Sequence, residues 1–164
     1  MQVSLSVEEA VTLAAVAQPL PPFVSGVRGE GALVHAEVDL PEVPGASGLA
    51  RLALQAAGTV TVSAQLIGYA AGVATLEVHA EARGLPAHRL LNQLTGVLSE
   101  RLAAQGLPDG LLEVRPGPRA PLIMVRVQDA VASRVDGVTL TGLVLRDGQV
   151  HADLALRPPV RPLP

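Results

Sequence analysis

The chain is predicted to be α+β: a curved, mainly antiparallel sheet packed on one long helix (about 86–105), with a short N-terminal helix beside it. Three observations predict this. Period-2 segments recur along most of the sequence, enough for about six to nine strands. One segment, 86–105, carries a continuous apolar stripe at helical spacing. Finally, the phrase Val-His-Ala-acid occurs three times, at 34–37, 78–81 and 150–153. Each copy sits in a period-2 segment. Two copies end similar larger units, which points to internal pseudo-twofold duplication of a strand–helix–strand–strand unit.

In chain order, 3–5 is a short strand candidate. Ser6 and Glu9 then form a capping box, in which each side chain satisfies the other residue's backbone N–H. Val7, Ala10, Val11, Ala14 and Ala17 follow at helical spacing, and Pro19, Pro21 and Pro22 stop the helix. A hairpin follows over 23–28 and 33–40, with a turn at 29–31. The 41–48 segment is a Pro/Gly/Ser loop. Segment 49–57 is open between two readings: Leu52 and Leu54 alternate as in a strand, whereas the Ala/Leu content suits a helix. A further hairpin is expected over 59–67 and 74–82, with Gly68 and Gly72 in its turn.

The long helix has Leu90, Leu91, Leu94, Val97, Leu98 and Leu102 on one face. Pro86 fits its first turn, Gly106 its C-cap and Pro108 its stop. A strand is expected near 111–115 and another at 123–127. A short helical stretch opens at Asp129, and a last hairpin spans 138–145 and 150–156, turning at Asp147 and Gly148. Residues 1–156 are expected to form a single globular domain. Its duplicated units are about 3–40 and 123–156, and its central hairpin and helix occupy 59–106. A Pro/Arg-rich tail, 157–164, follows. When the two His-Ala pairs are aligned, Ser25-Gly26 falls on Thr141-Gly142, and Val7–Val11 resembles 127–131.

Composition narrows the function. Of 164 residues, 49% are hydrophobic and only 16% charged, against about 25% charged in a typical domain. Mean hydropathy is +0.39. In a chain this apolar, either some apolar surface stays outside or a partner or ligand covers it. The formal net charge is −3 and the only aromatics are Phe23 and Tyr69. Neither the charge nor the stacking surface suits a nucleic-acid binder. No uninterrupted apolar run is long enough to span a membrane, and no signal-peptide pattern opens the chain. Absence of cysteine excludes disulfides and thiolate metal sites and suits a cytoplasmic location.

The residues with chemistry are the repeated histidines and their acids. Alternation places His35 with Glu37, His79 with Glu81, and His151 with Asp153 on polar strand faces. The simplest reading is a solvated sheet face. The alternative is a metal site, since imidazole and carboxylate together suit zinc, iron or nickel; it requires the three strands to bring the histidines together. Gly45-Ala46-Ser47-Gly48 is one residue short of a nucleophile elbow, and no phosphate-binding glycine loop is present. No catalytic residue and no cofactor is expected. The sequence therefore suggests a non-enzymatic binding or assembly protein whose surplus apolar surface is covered by self-association, a protein partner or an apolar small molecule. A metalloprotein using the repeated histidines is the alternative.

Overall fold

The computed structural model describes residues 1–17, 19–80 and 87–163. Its elements begin with β1 (Gln2–Ser6), α1 (Val7–Ala17), β2 (Val24–Glu30) and β3 (Leu33–Asp39). A 3-10 turn (Leu40–Glu42), α2 (Gly48–Ala57), β4 (Thr59–Ala70), β5 (Val73–Ala80) and α3 (Ala87–Ala104) follow. The chain continues with β6 (Leu112–Arg115), β7 (Leu122–Val125), α4 (Val127–Ala132), β8 (Val135–Arg146) and β9 (Gln149–Pro162). The class is α+β, and all strand pairs are antiparallel.

Two expectations are corrected. The strands make two sheets, not one: β1-β9-β8, and β2-β3-β4-β5-β7-β6. The helices number four among the described residues, where the sequence predicts one long helix, a short N-terminal one and a short stretch opening at Asp129. The sheet division follows from the pairing of β1 with β9, where Gln2 lies opposite Asp153. A contact between opposite ends of the chain leaves no local sequence signal. The extra helix, α2, settles the 49–57 ambiguity in favour of its Ala/Leu helix propensity. Gly58, at φ 65°, ends it and donates its N–H to Leu54 O.

Local chemistry explains the other helices. In α1 the expected capping box is present: Ser6 N–H donates to Glu9 Oε2 at 2.8 Å, and Glu9 N–H to Ser6 Oγ at 3.0 Å. The predicted 86–105 helix is α3, with Pro86 outside the described residues. It ends in a pair of bonds typical of a glycine stop: Gly106 N–H to Ala103 O and Leu107 N–H to Leu102 O. Gly106 has φ 75° there, a region in which a side chain is costly.

The main core lies between the six-stranded sheet and α2 and α3. Phe23, Val38, Leu40, Val43, Leu54, Val60, Leu90 and Leu94 form one buried cluster. Each fully buried Leu or Val is worth about 1.5–3 kcal/mol relative to exposure. The small sheet joins the large one through turns and one amide. Gly148 N–H donates to Gly31 O, and Val7 N–H to Gly148 O, so the β2–β3 and β8–β9 turns meet at the start of α1. On the other side, Gln128 N–H donates to Gly72 O in the β4–β5 turn. The Gln128 side chain accepts from Leu140 N–H at 2.7 Å and donates to Val138 O at 3.1 Å. It thereby occupies backbone groups of β8 as a neighbouring strand would. Tyr69 Oη donates to Leu140 O.

Both ends of the chain read strand–helix–strand–strand: β1-α1-β2-β3 and β7-α4-β8-β9. Their hairpins share register. Arg28, Gly29 and Glu30 face His35, Val34 and Leu33. Val144, Leu145 and Arg146 face His151, Val150 and Gln149 in the same way. Both have two-residue turns and a bulge further along, directly after these pairs in β2–β3 and two pairs later in β8–β9. In the middle hairpin, Gly68 marks a bulge rather than the turn, which falls at Ala71 and Gly72. Residues 157–162, read as a tail, continue β9: Arg161 and Pro162 face Asp136 and Val135 of β8.

Candidate functional site

The repeated phrase has a structural role. In β3 and β5 Val38 and Val78 are buried, and alternation puts His35 and Glu37 of β3, and His79 of β5, on the other face. In both terminal hairpins the acid lies against a glycine of the partner strand, Gly26 within the bulge and Gly142 beside it. A Cβ on Gly26 would be 3.3 Å from Glu37 Cδ, and one on Gly142 would be 2.8 Å from Asp153 Oδ2. Bare glycine leaves the room the carboxylate occupies.

The histidines divide between the sheets. His35 and His79 both lie opposite Ser63, on either side of it, so two strand spacings of about 4.8 Å separate their backbones. His151 belongs to the other sheet and its Nδ1 is 2.7 Å from Ser4 Oγ. Glu37 and Asp153 are at their bulges, and Glu81 lies outside the described residues. Among the described residues, no cluster of three or more His, Asp or Glu is placed to hold a metal ion. The polar face is not uniformly solvated, however. Glu77 is only 5% exposed, with His79 Nε2 at 3.3 Å from one carboxylate oxygen and Arg119 Nη2 at 3.4 Å from the other. A buried carboxylate needs such partners, because desolvation otherwise costs several kcal/mol. On β6, Arg115 makes two hydrogen bonds to Glu113, which hold that carboxyl below its ordinary range. That pair is exposed and lies within one strand, so it adds little to stability.

The strongest candidate for a binding surface is apolar. A groove of about 600 Å³ runs between α1, α4 and the start of β8, lined by Ala14, Leu107, Val127, Val131 and Val135. A second trough of about 240 Å³ lies between the end of α1 and α3, lined by Ala14, Leu20, Leu98, Leu102 and Leu112. Ala14 lines both, so they adjoin at this residue of α1. Three polar groups stand at this junction. Arg101, in the last turn of α3, and Gln105, just past the helix end, line the second trough. Arg134 lines the first and donates from Nη2 to Gln105 O at 2.8 Å. The Gln105 Oε1 atom is buried without a hydrogen-bond partner, alone in this among the described residues. Leaving such a group unpaired costs about 1–3 kcal/mol.

The sequence named neither the groove nor its polar residues. One signal was available. After Glu9, α1 is apolar on every side except Thr12, and a helix apolar all round is one that expects cover on more than one face. Its stripe reaches the sheet through Val7, 3% exposed, while Leu13 is 58% and Val16 84% exposed. Arg101, Gln105 and Arg134 converge only through the docking of α4 beside the end of α3, which local patterns do not encode. No helix among the described residues is long and apolar enough to cross a membrane.

No protein-family model matches the chain, and neither the curated proteins nor the solved structures contain a match to it.

Proposed function

We propose that this chain is a non-enzymatic binding or assembly protein whose surplus apolar surface is covered by self-association, a protein partner or an apolar small molecule. One observation carries the reading: the two apolar troughs meeting at Ala14, with Leu20 exposed beside them and Leu13 and Val16 exposed on the same helix. The larger, about 600 Å³, falls in the range of small-molecule sites, roughly 300–1,000 Å³. The composition supports the same reading, with 49% hydrophobic residues against 16% charged. The shared register, turns and acid–glycine contacts of the two terminal hairpins support a second proposal, that the strand–helix–strand–strand unit arose by duplication. The repeated Val-His-Ala-acid phrase then reflects a shared hairpin design and not a shared chemistry.

Native mass spectrometry, paired with a denaturing run of the same sample, tests the function. The expected result is a multimer, or added mass that denaturation removes. Ala14→Arg places a charged side chain where the troughs meet, at a position already exposed, and is expected to abolish the added mass if a ligand is the cover. A ligand-free monomer at micromolar concentration would overturn the proposal.

A further inference from the structure

Resting on that reading, we infer that the groove takes one free single-chain carboxylate, a fatty-acid-like molecule, with its head at Arg101, Gln105 and Arg134 and its alkyl tail along the troughs. Charge complementarity favours this occupant over a neutral one. Among the described residues, neither Arg101 nor Arg134 makes a salt bridge, although both border an apolar surface. Guanidinium groups match a planar carboxylate through two parallel hydrogen bonds and are less strongly hydrated than ammonium groups.

The Gln105 amide is the second observation. Its side-chain oxygen is buried without a partner, which leaves one polar group beside these guanidinium groups with its hydrogen bonding incomplete. Arg134 is already fixed in place through Gln105 O, so part of its side-chain freedom is spent before any ligand arrives, which favours binding. The tail has apolar walls in both directions from this point: Leu98 and Leu102 on one side, Val127 and Val131 on the other. A branched or two-chain lipid would have to spread across Ala14, whereas a single chain follows either trough.

Isothermal titration with dodecanoate and dodecanol, both below their aggregation limits, tests the head and tail separately. Dodecanoate is expected to bind roughly ten- to hundredfold more tightly than dodecanol, the range expected for hydrogen bonds to a charged group. Arg101→Gln should bring dodecanoate down to the dodecanol level while leaving dodecanol unchanged. Arg134→Lys, which keeps the charge but loses the fork, should weaken dodecanoate by a smaller factor; thermal melts of both variants check that the fold persists. Equal binding of acid and alcohol, or no effect of Arg101→Gln, would overturn the carboxylate inference and leave the groove reading standing. No binding of either compound, together with native mass unchanged by Ala14→Arg, would remove both. Cosedimentation with phosphatidylglycerol vesicles in place of free-acid binding would also overturn it, as would a dimer dissolved by Ala14→Arg.

Discussion

Glu8 shows how one side chain can join local and long-range structure. Its Oε1 accepts from Gly29 N–H at 3.0 Å, so it ties the first turn of α1 to the edge strand of the large sheet. A hydrogen bond from its own backbone N–H, the bond from Gly29 and one from Ser6 favour the ionised form and hold its carboxyl below the ordinary value near 4.5. A depressed folded value means that the unfolded chain binds the proton more readily. The stabilisation is therefore complete above about pH 4.5 and disappears as pH falls through the folded value. Glu8→Gln keeps the size and an acceptor but removes the charge. Urea unfolding from pH 7 down to pH 3 should show the parent more stable at neutral pH and the gap closing in acid. A gap independent of pH would refute the charge argument. At this scale the sequence was readable where the partner is near: the Ser6–Glu9 box lies within four residues. The Gly29 partner of Glu8 was not, because 21 positions separate them.

At the scale of elements, the same distinction decides what a glycine can tolerate. Gly29 and Gly142 both sit in hairpin strands with little room. A Cβ on Gly29 would meet Gly148 O and Val7 Cγ2, each at 2.7 Å. The first is backbone in a turn that also binds Val7 N–H and Gly31 O, so neither neighbour can move without unlocking the two sheets. A Cβ on Gly142 would meet Asp153 Oδ2 at 2.8 Å, the free end of an exposed side chain that can swing away. Gly29→Ala should cost about 1–3 kcal/mol, as overpacking does, and Gly142→Ala clearly less; chemical denaturation of the two variants compares them. Equal losses would show that the turn contact is not what locks the sheets. Strand alternation, the α3 stripe and the terminal hairpins were legible because each repeats within a few residues. Which strands would share a sheet was not. The pairing of β1 with β9 and the insertion of β7 between β5 and β6 depend on the shape of the assembled core.

For the whole molecule, the remaining question is why α1 leaves apolar groups on the side away from the sheet. The groove beneath it accounts for Ala14 and Leu20 but not for Leu13 and Val16, which point elsewhere on the helix. Neither residue stabilises the folded chain by burial, since both are mainly in water. The last turn of α1 also contains no basic residue, although a cation there would favourably meet the carbonyl end of the helix. The double substitution Leu13→Arg, Val16→Arg should therefore leave stability unchanged within about 0.5 kcal/mol, or raise it by about 0.3–1 kcal/mol through the helix dipole. If that face carries self-association, sedimentation velocity across a concentration series should show the parent associating and the variant remaining monomeric. Dodecanoate binding, which uses the opposite side of α1, should survive the change. Unaltered association in a fully folded variant would move the contact off this face. Loss of dodecanoate binding in a monomeric variant would instead mean that the groove is completed only when two copies meet.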